Sequence, residues 1–259
     1  MNAEAYLNRI GLSGPMAPTK ENLARIQKAH LQAVPYENLD ILLHRPIVLE
    51  KDALYTKIVE NRRGGYCFEV NELLGHLLRE LGYEVADLFG RFLRGETGIP
   101  MRRHHVLMVK CMDDDTPYVA DVGVGTGSPN LPVRMVPGEE LQDGVITYRL
   151  TQQDFFGWVL EDKKADGEWG PVYSFTEEPQ APIDFVTASF WCEHADESIF
   201  NKGAMVSLRT ETGRRTIDED EARIFDGNDV TVLSLKDMDE KRKILRDWFG
   251  IVLPDGACV

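Results

Sequence analysis

The hydrophobic pattern changes period at about residue 83, and that change limits what the chain can fold into. Val70, Leu73, Leu74, Leu77, Leu78 and Leu81 recur at steps of three and four and stop at Gly82. This is the spacing of one apolar helix face closed by a glycine. Upstream, Leu23, Ile26 and His30 repeat the helical spacing, and Pro35-Tyr36-Glu37-Asn38 breaks it with a turn. From about Tyr83 the repeats shorten. Segments 84–92, 104–112, 117–122, 144–151, 155–161 and 171–175 are rich in Val, Tyr, Phe and Leu and are separated by Gly, Pro, Asp or Asn clusters, which predicts a β-rich middle. After Pro182 the pattern predicts strands over 205–211, 212–218 and 230–234 and a last helix over 237–249, ended by Gly250. Helices first, strands next and a mixed end describe an α+β chain of one large or several small lobes.

Composition excludes several classes of function. Hydrophobic residues at 43% and charged residues at 28% are the balance of a soluble globular protein. A formal net charge of −14 opposes general binding to nucleic acid, whose phosphates need a basic face. No run approaches the roughly 20 apolar residues that cross a bilayer, and residues 1–12 lack the apolar core of a signal peptide. The expectation is a cytoplasmic protein with no membrane or nucleic-acid partner. Cys67, Cys111, Cys192 and Cys258 form no CxxC pair, so neither a zinc site nor a disulfide framework is expected.

Of the four, Cys67 sits where chemistry is favoured. It opens the leucine-striped helix just after Arg62-Arg63-Gly64-Gly65-Tyr66, and a helix N-terminus stabilises a thiolate through its unpaired N–H groups and dipole. A cysteine beside Phe68 also fits a small buried core residue. His104-His105 opens one apolar segment, and Asp121 closes the next. If the two strands pair antiparallel, histidine and aspartate come side by side, as a base and its orienting carboxylate do. Consecutive strand residues face opposite ways, so only one histidine can meet Cys67, and the period does not choose between them. Gly123-Val124-Gly125-Thr126-Gly127-Ser128 lacks the lysine of a P-loop, but its backbone N–H groups suit a phosphate or amide. Arg91, Arg94, Arg102 and Arg103, opposed by Glu96, form a local positive region that would steer an anionic ligand such as coenzyme A.

Taken together, Arg63-Gly64-Gly65-Tyr66-Cys67-Phe68-Glu69 with Asn71, His104 and Asp121-Val122-Gly123 resemble the arylamine N-acetyltransferases. Pro35-Tyr36-Glu37-Asn38-Leu39, residues 190–200 and Phe249-Gly250-Ile251-Val252-Leu253 extend the likeness over essentially the whole chain. The resemblance implies a helical lobe (1–83), a β-barrel-like lobe (84–188) and an α/β lid (189–259) around a cysteine-protease-like core. It implies Cys67, His104 and Asp121 as the catalytic set, with Val109 selecting His104 over His105. Glu37 and Arg63 would be a buried structural ion pair and Asn71 a supporting polar residue. Acetyl-coenzyme A, a donor substrate and not a resident cofactor, would lie against Gly123, Gly125, Thr126, Gly127 and Ser128. An arylamine or hydrazine acceptor would meet Val124 and Phe190. No metal is implied, and the protein is expected to be a monomer or homodimer. Val124 stands where the family usually has an aromatic, and Val70 where it has glutamine. Other thiol enzymes on the same core, such as amide synthases, transglutaminase-like proteins or hydrolases, and a non-catalytic ligand binder remain as alternatives.

Overall fold

Helical spacing becomes helix wherever an apolar stripe finds a partner. The computed structural model describes residues 1–259 apart from Asn228 and Asp255. Its N-terminal part holds α1 (Ala3–Arg9), α2 (Lys20–Ala33), α3 (Leu39–Leu42), α4 (Lys51–Tyr55) and α5 (Cys67–Glu80). A two-residue strand, β1 (Tyr36–Glu37), replaces part of the turn expected at Pro35–Asn38. Thr19 caps α2 by accepting the Asn22 N–H. Leu23 and Ile26 of α2 share one core with Val70, Leu73, Leu74, Leu77 and Leu78 of α5, and each buried aliphatic side chain stabilises the fold by about 2 kcal/mol.

One polar pair inside this core makes stability depend on pH. The Tyr6 hydroxyl lies 2.9 Å from His30 Nδ1, while Nε2 is buried without a partner. Burial lowers His30 from 6.5 to about 3, helped by the charge of Arg9. The folded protein therefore keeps a neutral imidazole where the unfolded chain takes up a proton, and stability falls as pH drops through 6.5 toward 3. Between pH 6.5 and 5 the loss from this group is about 2 kcal/mol. Thermal melts at both pH values should show this loss in the wild type and a clearly smaller one in His30→Leu.

The middle of the chain is a sheet of eight antiparallel strands: β2 (Glu84–Phe92), β3 (His104–Cys111), β4 (Asp114–Ala120), β5 (Val133–Arg134), β6 (Glu140–Gln142), β7 (Thr147–Gln153), β8 (Gly157–Lys163) and β9 (Trp169–Pro179). Their order is β5-β4-β3-β2-β9-β8-β7-β6. A bridge from Pro137 to Leu150 draws the two ends together into a nearly closed barrel. Strand alternation sorts β3 between two cores: Val106 joins the barrel interior with Tyr148, Tyr173 and Phe175, while Leu107 and Val109 face α5.

The C-terminal part begins with α6 (Asp184–His194), which the sequence reading does not predict. Phe185 and Cys192 are buried while Val186 and Phe190 are exposed, so its apolar residues surround the helix and leave no single stripe to recognise. A five-stranded sheet follows in the order β1-β10-β11-β12-β13, with β10 (Met205–Arg209), β11 (Gly213–Asp218), β12 (Glu221–Asp226) and β13 (Asp229–Ser234). Unpredicted β12 carries three charged residues in six, Glu221, Arg223 and Asp226, which hides its alternation. Through β1 the N-terminal part supplies this sheet's edge, with Tyr36 opposite Ser207. The last helix, α7 (Met238–Phe249), is capped by Asp237 and ends at Gly250 in the left-handed region, φ +69°. Among the described residues no helix is long and apolar enough to cross a membrane.

Candidate active site

Cys67 is held at the start of α5 by a buried ionic frame. Glu69, two residues on, accepts the Tyr66 N–H at 3.2 Å and Lys57 Nζ at 2.6 Å. Lys57 also meets Asp40 at 2.7 Å, and Arg63 reaches Glu37 at 2.7 Å and Asp40 at 3.1 Å. Three carboxylates thus share two cations. Burial, only partly offset by Lys57, pushes Glu69 up to about 7. Gly64 allows this crossing, because a Cβ there would lie 1.8 Å from the Pro35 carbonyl oxygen. The sequence reading singled out Glu37 and Arg63; Lys57, Asp40 and Glu69 are ordinary surface residue types that only the fold brings together.

The thiol is 3% exposed, with Sγ 3.9 Å from the Arg103 carbonyl oxygen. Burial pushes it well above its usual range, and Cys192 and the Asp121 charge act in the same direction. The backbone N–H groups of His105 and Phe68 pull it down but do not prevail. Desolvation thus opposes the thiolate that the helix terminus favours.

β3 and β4 pair antiparallel with Leu107 opposite Ala120, so His104 and the residue just past β4 converge. His104 Nε2 lies 2.7 Å from Asp121 Oδ2. Asp121 Oδ1 accepts from Asn71 Nδ2 at 2.8 Å and from the Gly123 N–H at 2.7 Å. Asn71, one turn after Cys67, also donates to the His105 carbonyl at 2.7 Å and accepts the Val122 N–H at 2.9 Å. Burial works to raise Asp121, but His104, Asn71 and the Gly123 N–H together hold its carboxyl below the usual range. With Nε2 engaged, His104 has Nδ1 left for chemistry. His105 turns to the opposite face, 3.0 Å from Asp87. Tyr173, which no sequence signal marked, packs its ring 4.9 Å from that of His104 with its hydroxyl buried and unpaired.

The glycine loop closes on Cys67. A Cβ on Gly123 would lie 2.7 Å from Cys67 Cα and 2.7 Å from Asn71 Nδ2. Gly123→Ala must push α5 from the loop, at a cost of about 1–3 kcal/mol. A lower melting temperature together with at least about tenfold lower kcat is expected, and a wild-type melt with wild-type kcat would contradict the packing. The Val124 N–H donates to Ser128 Oγ, the Gly127 N–H to the Val124 carbonyl and the Ser128 N–H to the Gly125 carbonyl. Gly127 and Ser128 are buried and spent on the loop itself. Val124, Gly125 and Thr126 instead line an open cleft of about 310 Å³ with Tyr36, Ser207, Arg214, Arg223 and Phe225. Beneath the loop, buried Arg209 donates to the Thr126 and Ser128 carbonyls at 2.7 and 2.9 Å, and its Nε and Nη1 have no partner.

Two expectations about position change. The positive region at 91–103 is largely neutralised: Arg94 pairs with Asp162, Arg102 with Glu178 and Arg103 with Glu96, and the cations facing the cleft are Arg214 and Arg223. Phe190 is not brought to Cys67. It is 60% exposed, stacks on His194 with ring centroids 4.1 Å apart, and lines a separate apolar groove with Ile47, Val48 and Val186.

A cysteine at a helix start, a His–Asp pair at strand ends and a barrel-like sheet define an acyl-transfer fold, and the N-acetyltransferase family profile matches residues 19–258. The arylamine N-acetyltransferase of Mycolicibacterium smegmatis is 38% identical over 218 residues, 83% of this chain and 78% of that protein. The Salmonella typhimurium arylamine N-acetyltransferase / N-hydroxyarylamine O-acetyltransferase is 32% identical over 97% of this chain and 89% of its own length. The solved structure of the S. typhimurium enzyme superposes with a TM-score of 0.92 at 31% identity, covering 98% of this chain and 92% of that one. That of Mycobacterium marinum arylamine N-acetyltransferase in complex with CoA gives 0.90 at 32% identity, over 96% and 93%. The chain belongs to the arylamine N-acetyltransferase family.

Proposed function

We propose that the chain transfers acetyl groups from acetyl-coenzyme A to arylamines, hydrazines or N-hydroxyarylamines through an acetyl-Cys67 intermediate. The observation that carries the reading is the His104–Asp121 pair, tied by Asn71 to the helix that Cys67 opens. Asp121 holds Nε2–H, so Nδ1 is the basic nitrogen. It takes the Cys67 proton, the thiolate attacks the thioester carbonyl, and N–H groups beside the sulfur receive the oxyanion. Coenzyme A leaves with the proton from His104. The amine then attacks acetyl-Cys67, His104 takes its proton, the carbon–sulfur bond breaks, and His104 passes the proton to the departing sulfur, which restores the free thiol. Exchange between two thioesters is nearly isoenergetic, so the protein mainly supplies position and charge.

The cleft beside Val124, Gly125 and Thr126 is the proposed coenzyme A entry. Arg209 beneath the loop and Arg214 and Arg223 across the cleft give the field that a pyrophosphate needs. The M. marinum complex with CoA supports this class of ligand. The acceptor would meet aliphatic Val124 at the same mouth. In this reading the lobes 1–83, 84–188 and 189–259 supply the nucleophile, the base pair and the cover, and the four free cysteines suit the reducing cytoplasm.

Initial rates with acetyl-coenzyme A and an arylamine varied together test the mechanism. Parallel double-reciprocal lines are expected. Intersecting lines would sink the covalent route, and steady acetate release without amine would point to a hydrolase.

A further inference from the structure

The fold leaves two arginines facing each other with no acid between them. Arg209 of β10 stands directly opposite Arg214 of β11, so both side chains rise from one face of the five-stranded sheet. Like charges in that position repel. The chain carries 43 acidic residues to 29 basic ones, yet neither guanidinium forms an ion pair with a described residue. Arg209 is 4% exposed. Its Nη2 is spent on the Thr126 and Ser128 carbonyls, while Nε and Nη1 have no acceptor. Arg214 lies over the ring of Phe225, its neighbour on β12, with Cζ 3.8 Å from the ring centroid. Burial and the charge of Arg209 hold Arg214 below its usual range. A buried guanidinium without an anion is a costly arrangement, because water can accept from its N–H groups but cannot balance its charge.

The space beside the pair suits an oxyanion. Arg209 lines a cavity of about 10 Å³ with Tyr36, Gly125, Thr126 and Ser207, which is room for one atom the size of a water oxygen. The last four residues also line the cleft of about 310 Å³ in which Arg214 stands, so the cavity opens where the two arginines meet. The next pair on the same face is Ser207 opposite Thr216, and both border the cleft. Two cations and two hydroxyls therefore converge on one junction. The remaining charges lie apart from it: Arg223 is spent on Glu221, Asp218 stands four residues further along β11, opposite Met205, and Glu211 is exposed in the hairpin. Guanidinium donors match the oxygens of a phosphoryl group better than any other common anion of this size.

We propose that Arg209 and Arg214, with Ser207 and Thr216, form a binding site for one phosphoryl group, seated where the cavity opens into the cleft. The group is either a phosphate of the acyl donor, which rests on the reading of this cleft as the coenzyme A entry, or free inorganic phosphate; the recognising chemistry is the same. Arg223, held by Glu221, is not part of the site.

Sodium phosphate titrated calorimetrically into the wild-type chain at constant ionic strength should bind at one ion per chain with a Kd of about 1 mM or tighter. Arg214→Gln, at a half-buried position bordering open cleft, should weaken binding at least tenfold. Arg209→Lys, which keeps the charge and a donor for the loop carbonyls, should weaken it severalfold. Two acyl donors identify the source. If phosphate raises the KM of acetyl-coenzyme A at unchanged kcat, and leaves the rate with the phosphate-free thioester S-acetyl-N-acetylcysteamine unaltered, the site holds the donor's phosphoryl group. Saturable binding with no effect on either rate assigns the site to free phosphate and moves the coenzyme A entry elsewhere, so the site and the entry fail separately. No saturable binding, or the same affinity in wild type and both variants, would overturn the proposal.

Discussion

Cys67→Ser protein should fold as the wild type does and lose about 10⁴-fold or more of its acetyl-coenzyme A-dependent turnover. The exchange is nearly isosteric at a position that is 3% exposed and packed against Gly123, so the melting temperature should move by only a few degrees. The chemistry changes far more. A serine hydroxyl is harder to deprotonate than a thiol, and this pocket already opposes the anion, since burial pushes even the thiol well up. His104 would have to make an alkoxide in a site that resists a thiolate. Removing the nucleophile of a catalytic triad costs about 10⁶ in kcat where such a set has been dissected. Coenzyme A release with a saturating arylamine measures the loss, and activity within tenfold of wild type would mean that the transfer does not pass through residue 67.

Asp121→Asn should lower kcat by about 10⁴ with little change in structure, and the hydrogen-bond pattern says why. Oδ1 accepts from both Asn71 Nδ2 and the Gly123 N–H, so the asparagine oxygen must take that position. Its NH₂ group is then turned toward His104 Nε2, where Oδ2 stood at 2.7 Å. A donor there forces Nε2 to accept, moves the proton to Nδ1 and leaves the histidine unable to take one from Cys67. Stability should fall less than activity, because Asn71 and Gly123 keep their acceptor. Steady-state kinetics beside a thermal melt separate the two effects. A loss confined to the KM of acetyl-coenzyme A would argue that Asp121 serves binding alone.

Much of this geometry could be read along the chain, and the unread part has identifiable causes. The stripe from Val70 to Leu81 and the helix-opening Cys67 depend on short-range spacing, which a sequence displays directly. The convergence of His104 with Asp121 follows from two adjacent strands joined by a short turn, also a local inference. The choice between His104 and His105 was not local: it depends on which face of β3 is covered by α5 and which by the barrel, and the family likeness, not the period, made it. The arginines of 91–103 looked unpaired because Asp162 and Glu178 lie 68 and 76 residues away from Arg94 and Arg102. The same distance hid Arg209, which reaches the glycine loop across more than 80 residues. Helix α6 escaped because its exposed Val186 and Phe190 erase the amphipathic contrast.

The covalent route rests on one intermediate, and it can be looked for directly. Wild-type protein mixed with acetyl-coenzyme A and no acceptor should gain one acetyl group per chain, found by intact mass and by peptide mapping on the segment containing Cys67, with one coenzyme A released. Added arylamine should remove the group and return the original mass. A chain that never gains the acetyl group, or Cys67→Ala protein that gains it equally, would contradict the account.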